Sequence, residues 1–371
     1  MTKRLGVVVT AGPDDGGTYQ YSLAMLHGLK HASGFDITLY GNPENPDFAR
    51  FGFPVIPFRE PYGRQLAALA ADRLHVPLGD PFAAQDVMMA PIYSLRMLHT
   101  SRPFIYTLHD LQQLYYPENF SRFQLAWRHQ VYSRVSARAR RIICESEYVK
   151  SDIVRFYGVE AERIAVIPAP PQSEFLDLAS DEELREARGR LGLPERFLFY
   201  PAHFWHHKNH LRLIEAFSEV VREAPDMRLV LTGKQQEAYP AVMRAIEELG
   251  LRERVLCLGY VTQQDLQAIY RLAAALVMPS LFESVSIPVY EAFQLGTPVA
   301  ASNILALPEQ VGDAGALFDP KSVASIRNAM LEIVKDPEAA RQRAKRGRER
   351  MSAMTPQRYG AQLQELLEEA S

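Results

Sequence analysis

Short apolar, β-branched runs alternate with longer stretches of helical period along the chain, and the alternation starts over halfway. In the first half the runs are LGVVVT (5–10), DITLYG (36–41), DVMMAP (86–91), FIYTLH (104–109), RIICES (141–146) and AVIPAP (165–170). In the second half they are RFLFYPA (196–202), MRLVLTG (227–233), VLCLGY (255–260), ALVMPS (275–280), TPVAAS (297–302) and GALFDP (315–320). Continuous apolar strands spaced by helices predict parallel sheets covered on both faces, hence an α/β fold. Two such series predict two doubly wound, Rossmann-like domains, and 371 residues at 47% hydrophobic suffice for both cores. Prolines and polar residues in PAPPQSEF (168–175) break the pattern and mark the boundary.

Composition removes several classes of function. A formal net charge of −3 gives no general attraction to phosphate backbones, so no nucleic-acid partner is expected. The charge is uneven: residues 1–170 carry 18 Lys+Arg against 16 Asp+Glu, leaving 23 against 28 for residues 171–371. Two cysteines, Cys144 and Cys257, each within an apolar run, imply no disulfide framework. The opening MTKRLGVVVT is too short in its apolar part for a signal peptide, and no stretch of about 18 apolar residues occurs, so a cytoplasmic protein is expected. The G-x-G-x-x-G and G-x-x-x-x-G-K-[ST] fingerprints are absent, which argues against dehydrogenases and P-loop NTPases.

The stretch FESVSIPVYEAFQLGTPV (282–299) places Glu283 and Glu291 eight positions apart, directly after the apolar run ALVMPS. Pro288 fits the first turn of a helix, with Ser284 or Ser286 as its cap. A helix N-terminus beyond the carboxyl end of a parallel strand offers N–H groups and a positive dipole end to phosphate. At 1.5 Å per helical residue the two carboxylates lie roughly 10 Å apart, the scale of a diphosphate with a sugar at each end. Each carboxylate suits the paired hydroxyls of a vicinal diol. Spacing alone leaves open the plainer reading, two exposed acids favoured by the helix dipole.

Three further segments carry candidate chemistry. In FYPAHFWHHKNHLRLIEAF (199–217), Lys208 can place its ammonium on a diphosphate leaving group. The histidines 203, 206, 207 and 210 lack the cysteine or carboxylate spacing of a zinc site, and Trp205 reads as loop packing. In YTLHD (106–110), His109 and Asp110 follow a strand, and Asp110 reads as a brace for the loop. In AGPDDGGTYQYSLAMLHGLK (11–30), Gly16 and Gly17 allow backbone to approach a ligand, although a tight turn would need them equally. The helix expected over 121–141 carries six arginines and an apolar stripe of Phe123, Trp127, Val131 and Val135. Anionic lipid at the inner face of a membrane and a merely solvated basic face both fit it.

The region from Phe282 to Pro320 resembles the E-x7-E signature of family-4 retaining glycosyltransferases, and the likeness extends over nearly the whole chain. It implies the GT-B architecture, two doubly wound domains facing across a cleft. The domains expected are an acceptor-side domain of residues 1–170 with a returning C-terminal helix over 355–371, and a nucleotide-sugar domain of 171–354. It implies Glu283 on hydroxyls of the donor hexose, Glu291 on the nucleotide ribose, and Ser284, Val285 and Ser286 lining the donor. Serines 284 and 286 stand where such enzymes usually have glycines. Lys208 matches the family's basic loop, His203 replaces its usual arginine, His109 matches a histidine facing the donor sugar, and Gly16 and Gly17 match its glycine loop. HDLQQLYYPENF and FWHHKNH look similar to mannosyl- or rhamnosyltransferases of bacterial polysaccharide assembly.

The function so implied is retaining transfer of a hexose from a nucleoside diphosphate sugar, GDP-mannose or a TDP- or UDP-sugar, to a glycan or lipid-linked glycan. No D-x-D motif occurs, so neither a metal nor another cofactor is expected. A sugar-nucleotide epimerase or a catalytically silent sugar-nucleotide binding protein would share the same landmarks.

Overall fold

The computed structural model describes residues 2–171 and 179–371. The chain divides into two compact units, Met1–Pro170 with Met354–Ser371, and Pro171–Ala353. Of the expected boundary segment 168–175, positions 172–175 lie outside the described residues.

The first unit is built on β1 (Lys3–Val8), β2 (Phe35–Gly41), β3 (Val55–Pro57), β4 (Val87–Ala90), β5 (Phe104–Thr107), β6 (Arg141–Cys144) and β7 (Ile164–Val166). They form a parallel sheet of order β3-β2-β1-β4-β5-β6-β7. The second unit is built on β8 (Phe197–Pro201), β9 (Arg228–Thr232), β10 (Val255–Cys257), β11 (Ala275–Met278), β12 (Val299–Ser302) and β13 (Ala316–Phe318). Its parallel order is β10-β9-β8-β11-β12-β13. Both sheets grow outward in two directions from the first strand, which is the doubly wound Rossmann topology. Each expected apolar run overlaps one of these strands. β3 was not among the expectations: Val55 and Ile56 between Pro54 and Pro57 give no apolar run, and Pro57 is tolerated in the strand because β3 lies at the edge of the sheet.

The first unit's core has two faces. On one, Val7, Leu26, Leu39 and Met89 pack with Leu363 and Leu367 of the closing helix Pro356–Ala370. On the other, Met88, Tyr106, Val131 and Ile142 pack together. The closing helix starts as expected, with Thr355 accepting the Arg358 N–H and proline in the first turn. It crosses the helix Gly17–Leu29 where Gly28 meets Gly360. A Cβ on Gly360 would lie 2.3 Å from the Gly28 carbonyl oxygen, so two glycines set this approach. Tyr359 donates its hydroxyl proton to the Tyr21 hydroxyl oxygen at 3.2 Å beneath the same crossing.

Candidate functional site

In the second unit the order of strands reverses between β8 and β11, which pair through Ala275–Leu198 and Leu276–Phe199. Loops leaving two such strands diverge to opposite sides of the sheet and leave a crevice at its carboxyl edge. Lys208 lies on the loop after β8 and Glu283 on the loop after β11. Lys208 Nζ donates to Glu283 Oε1 at 2.6 Å, with only 22% and 10% of the two side chains exposed. The loop after β8 is fastened from below. Tyr200 of β8 donates its hydroxyl to the Lys208 carbonyl at 2.8 Å. Asn209 turns left-handed at φ 61° and its amide reaches the carbonyls of Pro279 and Pro320, each at 2.8 Å.

After Glu283 the chain enters the helix Ile287–Leu295, with Ser286 as the residue before it and Pro288 in its first turn. Ser286 stands at the cap position, but its side chain makes no capping hydrogen bond. Instead Gln310 clamps Ser286 from a distance, its Oε1 accepting the Ser286 N–H at 2.9 Å and its Nε2 donating to the Ser286 carbonyl at 2.7 Å. The Ser286 hydroxyl is buried and makes no hydrogen bond within the protein. A buried, unpartnered hydroxyl at the positive end of a helix is suited to an anionic oxygen. One turn on, Glu291 is buried and accepts the Tyr270 hydroxyl at 2.7 Å. Burial pushes the Glu291 carboxyl up to about 7, against the opposing pull of that hydrogen bond.

A cleft of about 420 Å³ opens at the carboxyl ends of β8 to β11, bordered by His203, Lys208, Gly233, Tyr260 and Pro288. Gly233 sits at φ 131°, and a Cβ there would lie 2.3 Å from the Ala202 carbonyl oxygen, so only glycine keeps the two loops this close. His203 Nδ1 accepts the Lys234 backbone N–H at 2.9 Å. Burial, then the charges of Lys234 and Lys208, hold its pKa below the usual histidine value, so it sits in the cleft as a neutral ring. The Lys234 ammonium lies 5.9 Å from the centre of the Tyr260 ring. Trp205, expected to be loop packing, is 37% exposed and borders the cleft.

The histidines of this loop do not converge. His210 is buried, stacked on Phe204 at 4.3 Å and tilted against Tyr200 at 4.8 Å, with its pKa lowered by burial to about 3. Among the described residues no three His, Cys, Asp or Glu side chains are grouped to hold a metal ion.

The remaining candidates belong to the first unit, also at carboxyl ends of strands. Gly16, at φ 55°, precedes the helix Gly17–Leu29, which begins at Gly17. His109 follows β5. Its Nδ1 lies 3.1 Å from Glu145 Oε2 and its Nε2 2.7 Å from the Pro91 carbonyl oxygen. Both partners are acceptors, an arrangement that favours the protonated ring. Burial alone would lower its pKa; the Glu145 carboxylate and the Pro91 carbonyl outweigh burial and raise it. Asp110 accepts the Gln112 N–H at 3.0 Å and pairs with Arg128 at 3.2 Å, a brace for the loop.

Sequence reasoning missed Tyr270, Gln310, Gly233, Lys234 and Tyr260. Gly233 alone left a local signal, a glycine ending an apolar run.

Residues 16–170 match the family model described as Glycosyltransferase Family 4, and residues 181–350 match that of Glycosyl transferases group 1. O-antigen chain mannosyltransferase B of Escherichia coli is 28% identical over 280 residues, which cover 74% of this chain and 72% of that protein. The serotype-specific mannosyltransferase WbdA of Escherichia coli is 30% identical over 203 residues, 54% of this chain but 25% of that longer protein. The crystal structure of HepE from Anabaena, in complex with UDP and glucose, covers 99% of both chains with a TM-score of 0.79 at 18% identity. Sucrose-phosphate synthase from Thermosynechococcus elongatus gives a TM-score of 0.78 at 20% identity, over 99% of this chain and 98% of that one.

Two Rossmann-like units in one chain are thus the GT-B-like architecture of these structures. The protein is a glycosyltransferase related to bacterial sugar-nucleotide transferases, an enzyme that moves a sugar from a nucleotide-sugar donor to an acceptor.

Proposed function

We propose that the protein is a retaining hexosyltransferase, carrying mannose from GDP-mannose, or failing that a hexose from a TDP- or UDP-sugar, to a hydroxyl of a growing or lipid-linked surface polysaccharide in the cytoplasm. The choice of mannose rests on the O-antigen mannosyltransferase among its relatives. The observation that carries the reading is the Lys208–Glu283 pair, which joins the loop after β8 to the loop that leads through Ser286 into the helix Ile287–Leu295.

In this proposal the diphosphate lies against Lys208, the Ser286 hydroxyl and the N-terminal end of the helix Ile287–Leu295. Ser284 and Val285 lie alongside the donor, His203 stays neutral beside the phosphates, Glu283 accepts hexose hydroxyls, and Glu291 accepts the ribose diol. The bond from the anomeric carbon to the diphosphate oxygen breaks as the acceptor oxygen attacks from the same face. The acceptor proton passes to that departing oxygen, and Lys208 stabilises the charge gathering there. No side chain is assigned as a covalent nucleophile. On the family resemblance, the Gly16–Gly17 turn is assigned to backbone contact near the phosphates and acceptor, and His109 to the hexose. Charge stabilisation is given to Lys208 and the positive end of the helix dipole, without a metal.

The test is transfer from each candidate donor with product stereochemistry read by NMR, in buffer and in excess EDTA. Retained configuration and full activity in EDTA are expected. An inverted product, or activity lost in EDTA and restored only by Mn²⁺ or Mg²⁺, contradicts the proposal. Incubation of donor alone separates an epimerase, which changes the sugar without acceptor.

A further inference from the structure

The helices Tyr62–Arg73 and Arg122–Arg138 meet at their first turns and carry aromatic rings on the outside of the first unit. Tyr62 is 49% exposed and Phe123 58% exposed. The Tyr62 ring lies 6.2 Å from Phe123 and 5.4 Å from Trp127, and Phe123 stacks on Trp127 at 6.4 Å. Leu66, one turn beyond Tyr62, is exposed, as are Leu74 and Val76 just past the end of that helix. Val131 and Val135 go into the core, so the apolar stripe of the second helix is core at one end and surface at the other. Trp127 packs against the core, Tyr62 and Phe123 gather on it from the solvent side, and rings so exposed mark a contact surface.

The charge around them is of one sign. Residues 59–76 and 121–141 hold nine arginines against Glu60 and Asp72, in a chain of net charge −3. Both acids are engaged: Glu60 accepts the Arg96 N–H at 2.9 Å, and Asp72 pairs with Arg134 and Arg138. Arg128 turns inward to Asp110 and Gln113, and Arg141 pairs with Glu369. The exposed Arg59, Arg64 and Arg122 therefore flank the aromatic end rather than the middle of the helix.

We propose that this face docks on a membrane surface rich in anionic lipid. Aromatic rings partition to the headgroup level of a bilayer, and arginines beside them reach lipid phosphate while their stems lie along the acyl boundary. The surface extends beyond 121–141 to take in Tyr62 and Leu66. It depends on no assumption about the sugar donor.

The test is flotation of the full chain with vesicles of phosphatidylcholine alone and with an equimolar phosphatidylcholine–phosphatidylglycerol mixture. Binding is expected to the mixture only and to weaken at high salt. Arg64→Ala and Arg122→Ala each lower partitioning about fivefold, and Tyr62→Ala with Phe123→Ala lowers it about tenfold or more. Thermal unfolding stays at the wild-type temperature, because these side chains are exposed. Absence of binding, equal binding to neutral vesicles, or wild-type binding by the variants overturns the proposal. So does self-association abolished by Tyr62→Ala with Phe123→Ala in a protein that ignores vesicles.

Discussion

Lys208 and Glu283 neutralise each other in a site where neither is well hydrated. Taking away one partner leaves the other as an uncompensated, largely buried charge. Glu283→Gln should therefore tighten binding of free nucleoside diphosphate several-fold, by releasing Lys208 to the phosphates, while lowering kcat with the intact donor by about a hundredfold. Lys208→Ala should lower kcat by at least that much. Calorimetry and initial rates check both, and unchanged nucleotide affinity in Glu283→Gln would show that the pair exerts no hold on the lysine. Glu291 makes a prediction in pH. Its carboxyl titrates near 7 when folded against 4.5 in a free chain, so the folded state holds the proton more tightly. The stability this contributes is complete below pH 4.5 and is lost as pH rises toward 7. Nucleotide binding runs the other way, since a ribose diol needs the carboxylate as acceptor: affinity should rise as pH passes through about 7, and Glu291→Gln should flatten that dependence. Lys208, Glu283 and Glu291 were legible in the sequence because each belongs to a local pattern after a strand. Tyr270 and Gln310 were not, because each reaches its partner from a separate helix or loop and carries no neighbouring signal.

At the scale of elements, the apolar runs announced the strands because a strand buried on both faces must be apolar throughout. β3 escaped because an edge strand need not be. The helix Arg122–Arg138 was also legible, but its period could not say that the stripe leaves the core at Phe123. The capping serines misled for a related reason. Ser286 stands where a cap belongs, yet Gln310, distant in sequence, already holds its backbone, and the hydroxyl is left for another partner. The contact between the helices Gly17–Leu29 and Pro356–Ala370 depends on glycine at both sides of the crossing. Gly360→Ala would press a methyl into the Gly28 carbonyl, and the displaced helix should cost about 1–3 kcal/mol. Chemical denaturation should show a lowered midpoint; an unchanged one would mean that the closing helix can shift without loss.

For the whole molecule, two sheets with the same order of strands follow from one pattern repeated in the chain, and each collects its candidate residues at its carboxyl edge. What the pattern could not supply is which distant residues border the cleft, since Gly233 and Tyr260 arrive from β9 and β10 while the motif lies beyond β11. The central claim is that this edge of the second unit binds an activated sugar through its diphosphate and ribose. A ligand present at 100 times its Kd stabilises the folded state by about 2.7 kcal/mol. Thermal unfolding of the wild type against GDP-, UDP- and TDP-sugars, repeated with Lys208→Ala and Glu291→Ala, is the direct measurement. The account predicts a saturable upward shift with at least one donor, GDP-mannose foremost, reduced or lost in both variants; no shift with any donor, or the same shift in both variants, would contradict it.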